Sequence, residues 1–316
     1  MLGATGTLGR ATVRALVERG HAVVCLIRPG GDRHCAGALA GAVVRFGDAT
    51  DPSSLARDGI CGERFDAIVS CLASRTGAPA DAWAVDHRAH LGMLEVARAA
   101  DIPHMVLLSA LCVQKPRLAF QHAKLAFERA LIDSGLTYSI VRPTAFFKSL
   151  SGQVERVRAG KSYLLFGDGE LTACKPISDH DLGHYLAQCL TDETLHDRIL
   201  PIGGPGDAIT PRQQGERLFA LLGRPPRFRR VPVALLDGII RVLATLGRIS
   251  PALRGKAELA RIGRYYATES MLVLDPASGD YDAAATPSTG SETLFDFYAR
   301  LIAGEAEVDR GDHAVF

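Results

Sequence analysis

The stretch Met1-Leu2-Gly3-Ala4-Thr5-Gly6-Thr7-Leu8-Gly9 decides how the rest of the chain is read. Three glycines, each three residues from the next, lead directly into a helical stretch at 10–19. There Val13, Leu16 and Val17 fall on one face. Gly20-His21 breaks that helix, and residues 22–27 (AVVCLI) read as a buried strand. The spacing is not G-x-G-x-x-G, so the context carries the assignment. A turn rich in Gly, Ala and Thr that opens a helix beside a buried strand lets backbone approach a pyrophosphate. The helix start adds N–H donors and partial positive charge. Gly3, Thr5, Gly6, Thr7 and Leu8 are the candidate cofactor contacts.

The alternation continues outward, with strands expected at 42–46, 67–71, 104–108 and 137–141 and helices at 83–100 and 119–133. Short apolar strands alternating with amphipathic helices predict an α/β fold, a doubly wound parallel sheet covered on both faces. From about Ala145 the pattern loosens into the turn Phe166-Gly167-Asp168-Gly169, a strand at 198–202 and a helix at 211–222. Two domains follow: a cofactor-binding domain at 1–145 and a smaller mixed substrate lobe at 146–316 that caps the substrate cleft, with an interleaved boundary. Residues 305–316 are polar and acidic and are expected to fray. Only Met1 and Leu2 precede Gly3, where such a sheet needs a central first strand of about five or six residues. The expectation is a truncated first strand, with the natural start upstream.

Composition sets the outer bounds. Among 316 residues, 47% hydrophobic and 22% charged match an ordered globular chain. Thirty-six Lys and Arg against 35 Asp and Glu leave +1, no global field to hold nucleic acid or an acidic membrane surface. Seven cysteines without a C-x-x-C read as packed thiols in a reducing compartment, with no metal site expected. No apolar run reaches 18 residues, so an integral membrane segment is not expected. A cytoplasmic protein is the expectation, with peripheral contact with a pigment-bearing membrane left open.

The end of the second strand selects the nicotinamide cofactor. An NAD site places Asp or Glu there for the ribose 2′-hydroxyl, whereas here Ile27 is followed by Arg28 and no acid until Asp32. A guanidinium pairs with a 2′-phosphate, which favours NADPH. Asp48, after Gly47, is a candidate acceptor for the adenine amino group and equally a turn-forming Asp.

Ser109 follows the strand at 104–108, and Lys124 lies on the next helix with Phe120 four residues before it. The arrangement resembles the short-chain dehydrogenase/reductase superfamily, whose NAD(P)-binding fold is Rossmann-like and whose active site carries a Ser and a Tyr-x-x-x-Lys. Phe120 stands in the tyrosine's place. Residues four apart share a helix face, so Phe120 and Lys124 point the same way. Phenylalanine cannot give a proton to a ketone oxygen, which disfavours carbonyl chemistry and leaves hydride addition to a conjugated C=C. An NADPH-binding sensor or assembly factor of the same fold stays as the alternative.

A longer run sharpens the likeness. LLSALCVQKP (107–116), FQHAKL (120–125), YSIVRPTAFFKSL (138–150), GQV (152–154), FGDG (166–169), ACKPIS (173–178) and GRYYATESML (263–272) resemble the NADPH-dependent 8-vinyl reductases of chlorophyll and bacteriochlorophyll synthesis. The resemblance implies reduction of a C8 vinyl group to ethyl on a divinyl tetrapyrrole. The macrocycle would delocalise charge, so no tyrosine is needed. It implies that Lys124 holds the nicotinamide ribose and relays a proton through water, and that Ser109 positions ring or water. Phe120, Phe146 and Phe147 are the candidate apolar walls for a flat macrocycle, or ordinary packing residues.

Overall fold

The structure, a computed structural model, describes residues 1–31 and 37–307. The expectation for 305–316 lies, from 308 onward, outside the described residues. The chain forms two compact units: Met1–Ser74 with Pro79–Pro143 and Asp179–Ile202, and Arg75–Ala78 with Thr144–Ser178 and Gly203–Phe316.

The first unit is built in chain order from α1 (Thr7–Glu18), β1 (Val24–Ile27), β2 (Val43–Phe46), β3 (Ala67–Ser70), α2 (His90–Ala99), β4 (His104–Leu108), α3 (Ala119–Ile132) and β5 (Thr137–Pro143). After β6 (Tyr163–Phe166), which belongs to the second unit, α4 (Asp179–Gln188) and β7 (Arg198–Ile202) return to the first. They return because α4 packs on α1 and β7 pairs with β5. Every strand pair is parallel, in the orders β2-β1 and β3-β4-β5-β7. All five side chains of β4 are buried, as a strand covered on both faces requires. Edge strand β2 departs from that expectation, with Val43, Val44 and Phe46 exposed.

The central position between β1 and β3 is held by Met1 and Leu2. Leu2 bridges Leu26 and Ser70 in parallel. Its N–H donates to Val69 O at 2.9 Å, and its carbonyl accepts from Cys71 N at 3.0 Å. These bonds lie where the sequence predicts a central first strand of about five or six residues. Leu2, Leu26, Ile68, Met93, Met105, Leu107, Phe127 and Ile140 form the core around this seam.

The helix expected at 83–100 is not uniform. Trp83–Ala89 winds as a wider π-type turn before α2 begins at His90. Such turns carry one residue more than an α-turn and shift which side chains face inward.

In the second unit β6 pairs in parallel with β8 (Phe228–Val231). Its core gathers Phe147, Val154, Tyr163, Leu165, Leu218, Leu294 and Tyr298. Helices α5 (Pro211–Leu221) and α8 (Leu294–Ala303) supply much of that core, and α6 (Val233–Leu246) packs on α7 (Pro251–Thr268).

Candidate active site

The glycine turn is shaped by close backbone approach. Gly3 has φ +71°, and a Cβ there would stand 2.6 Å from the Cys71 carbonyl carbon. A Cβ on Gly9 would lie 2.0 Å from Gly3 O, so the turn and the first turn of α1 nest against each other. Gly6 differs, since a Cβ would come no nearer than 3.5 Å to protein. Nothing in the protein's packing forbids a side chain at Gly6, and the space above it is open to a bound group. The first main-chain bond of α1 runs from Arg10 N to Gly6 O at 2.9 Å, so the amides before it lie outside the helix's own ladder. No acidic residue occupies the first turn of α1. The turn therefore fits a pyrophosphate.

At the end of β1, Arg28 is exposed and opens a turn in which its carbonyl accepts from Gly31 N at 2.9 Å. Its charge is felt by Asp48 at the end of β2. Asp48 Oδ1 accepts from Thr50 Oγ1 at 2.7 Å and Thr50 N at 2.8 Å. These bonds hold its carboxyl below the usual carboxylate range, with a smaller contribution from Arg28. The observed bonds give Asp48 a turn-forming role, and the adenine role has no support in them.

The chemistry-bearing lysine is held by a residue that sequence reading missed. Lys124 Nζ lies 3.1 Å from Asp86 Oδ1, with side-chain exposures of 12% and 0%. Asp86 sits in the π-type turn, and its Oδ1 also accepts from Ser74 N at 3.3 Å. Its Oδ2 is buried without a hydrogen-bond partner. Next to this pair lies His90, fully enclosed. Its Nδ1 is 2.8 Å from Val85 O and must donate, because a carbonyl only accepts. Nε2 is then the acceptor for the Ser70 hydroxyl at 3.0 Å. Burial, and then the Lys124 charge, push the His90 imidazole down to about 4, so it is neutral. The Lys124 charge also reaches Cys71, the residue that backs Gly3, whose thiol burial nonetheless pushes up to about 11. Lys124 is thus positioned by α3 and the π-type turn together. Asp86 and His90, four apart in a stretch read as helical, were the available signal.

Ser109 closes β4 as expected, yet its hydroxyl is turned elsewhere. It donates to Glu128 Oε1 at 2.5 Å, and Glu128 is paired with Arg142 through both oxygens. Ser109 and Glu128 are 5% and 2% exposed. The bonds observed there tie β4, α3 and β5 together, and the expected role of Ser109 in positioning ring or water has no support in them. Phe120 is half-buried at the start of α3, one turn before Lys124. Its neighbour Gln121 is fully buried, accepting from Arg117 N at 2.7 Å and Leu118 N at 2.9 Å and donating to Cys112 O at 3.1 Å. It fixes the loop between Ser109 and α3, and a Gln at the third helical position was the sequence signal.

In the second unit Phe147 is 3% exposed and its ring lies against Phe297, centroids 5.6 Å apart. Packing within that core accounts for Phe147, the second of the two roles the sequence offers for it. Phe146 is half-buried, its backbone bridging Ile177.

Comparisons with known proteins bear on the fold and the family. A family described as NAD(P)H-binding matches residues 3–193. The chain is 51% identical over 327 residues to the chloroplastic divinyl chlorophyllide a 8-vinyl-reductase of Oryza sativa subsp. indica, covering 99% of this chain and 81% of the relative. The Arabidopsis thaliana protein of the same name is 48% identical, covering 96% and 76%. Among solved structures, a quinone oxidoreductase from Escherichia coli complexed with NADPH shares the fold, with TM-score 0.69 and 18% identity over 95% of this chain and 98% of that one. The relatives' chloroplastic names overturn the expectation of a cytoplasmic protein. Composition and cysteine pattern do not distinguish one compartment from another. Identical at 48–51% of positions to reductases of one name along nearly its whole length, and carrying an NAD(P)H-binding domain, the chain belongs to the divinyl chlorophyllide a 8-vinyl-reductase family.

Proposed function

We propose that this protein reduces the C8 vinyl group of a divinyl chlorophyllide-type pigment to ethyl, with NADPH as the cofactor, in chlorophyll synthesis. The observation that carries this reading is the 48–51% identity to divinyl chlorophyllide a 8-vinyl-reductases over almost the whole chain. The glycine turn at Gly3, Thr5, Gly6, Thr7 and Leu8 would hold the pyrophosphate, and Arg28 the 2′-phosphate. Bound there, NADPH supplies the hydride.

The chain's own residues orient and charge the reaction space. Asp86 holds the Lys124 side chain in place through its Oδ1, 3.1 Å from Nζ. Lys124 holds the nicotinamide ribose and offers a proton to a water on its way to the substrate carbon. Phe120 contributes an apolar surface where a ketone reductase carries a phenol. A vinyl group conjugated to a macrocycle needs no oxyanion partner, so this absence costs the reaction nothing. Ser109 is assigned to the Glu128–Arg142 network instead of to substrate, and Phe146 remains a candidate wall for the macrocycle. We also infer peripheral association with the membrane that holds such pigments; no described helix is long and apolar enough to cross one.

The test is anaerobic incubation of the full chain with 3,8-divinyl chlorophyllide and NADPH, with pigments separated by chromatography. Conversion to the 8-ethyl pigment, cut about 100-fold or more in Lys124→Ala with folding intact, is the expected result. A folded protein that binds NADPH and leaves the pigment unchanged would overturn the reading in favour of a non-catalytic NADPH-binding protein.

A further inference from the structure

Helix α6 carries an apolar stripe that the second unit's packing does not use. Leu235, Ile239, Val242 and Leu246 recur at intervals of four, three and four, which aligns them along one face. They are 54%, 41%, 59% and 47% exposed, and Ile249 just beyond the helix is 89% exposed. The inward side, with Leu236, Ile240 and Leu243, is half-buried. A helix packed on a single neighbour needs one apolar face, and α6 has a second.

Charge identifies what that second face meets. Between positions 224 and 264 there are ten Lys and Arg against two Asp and Glu, in a chain whose net charge is only +1. Both acids are already held, Asp237 by Arg264 and Glu258 by Arg261. Arg229, Arg230, Arg241, Arg248 and Lys256 are exposed. Arg241 lies about 130° around the helix from the centre of the stripe, off the apolar face, from where a long side chain can reach back to the headgroups while the stripe is covered.

We propose that this face is a membrane-docking surface: α6 lies in the plane of an anionic lipid surface, with Leu235, Ile239, Val242, Leu246 and Ile249 among the upper acyl chains. The flanking arginines meet the headgroup phosphates. Fourteen residues make a helix of about 21 Å, against a hydrocarbon core of about 30 Å, so α6 lies along the surface and does not cross it. A second copy of the chain would set the same positive charge against itself, which disfavours self-association through this face. The inference rests on the peripheral association proposed above and gives it a surface.

The experiment is cosedimentation of the full chain with vesicles of phosphatidylcholine alone or of equimolar phosphatidylcholine and phosphatidylglycerol. Binding to the mixed vesicles is expected, about tenfold stronger than to phosphatidylcholine and weakening with salt. Val242→Asp with Ile249→Asp should lower the partition coefficient about tenfold or more. Arg241→Glu with Arg248→Glu should remove the preference for phosphatidylglycerol. All four positions are exposed, circular dichroism verifies the fold, and turnover of pigment in free solution should be unaltered in both variants. Failure to sediment with either vesicle, or undiminished sedimentation of the aspartate variant, overturns the proposal. So does a lipid-free dimer, seen by light scattering, that the aspartate variant abolishes. Because binding is read without turnover, vinyl reduction and lipid docking can fail independently.

Discussion

Helix α3 carries two charge clusters one turn apart, and they are built to different standards. Glu128 uses both carboxylate oxygens, on Ser109 and Arg142, at 2% exposure. Lys124, four residues earlier, meets Asp86 through a single oxygen and leaves Asp86 Oδ2 buried without a partner. An unpaired buried polar atom costs about 1–3 kcal/mol. The saturated cluster clamps the sheet to the helix. The other sets Lys124 against one oxygen of a buried carboxylate.

The largest effect should come from breaking the saturated cluster. Glu128→Ala leaves Arg142 buried without its counter-charge and should cost about 3–5 kcal/mol in urea unfolding, with turnover per folded molecule unchanged. A loss below about 1 kcal/mol would remove the distinction between the clusters.

Acid should act on the Lys124 side. His90 titrates at about 4 in the folded protein against 6.5 in the unfolded chain, so the unfolded state binds more protons between these values. Its contribution is complete above about 6.5 and is lost as pH falls towards 4, in total about 3 kcal/mol. His104, also pushed down to about 4 by burial and then by His196, titrates in the same window. A stability profile of His90→Gln should therefore be shallower than wild type between those pH values, not flat. An unchanged slope would mean that His90 is not held neutral.

Asp86→Asn should lower kcat about tenfold and leave urea stability within about 1 kcal/mol, since the pair is only half satisfied to begin with. The opposite pattern, a large stability loss with normal kcat, would make it a second clamp. The smallest effect is expected from Phe120→Tyr, with a rate on the vinyl substrate within about twofold of wild type. A tenfold gain would show that a phenol's proton was what the reaction lacked.

The legible part of the site was the part encoded in local pattern. The glycine turn, the ends of β4 and α3, and the phenylalanine in the tyrosine's place could be read because each depends on neighbours in sequence. Ser109 and Phe147 show the limit, since both have residue types that suit a reacting site and both are consumed by partners from distant segments, Glu128 and Phe297. Their fate depended on what packs against them.

By itself the sequence determined the alternating α/β order, the parallel sheet, the NAD(P)H turn and the likeness to vinyl reductases. These follow from periodicity, turn chemistry and motifs that act over a few residues. Only the tertiary structure decided that Asp86 holds Lys124 across 38 positions, that Leu2 bridges Leu26 and Ser70, and that α6 keeps a second apolar face uncovered. Burial and partner geometry are properties of the packed chain, and they set which charges are saturated, which are left poised, and which surfaces remain to be covered.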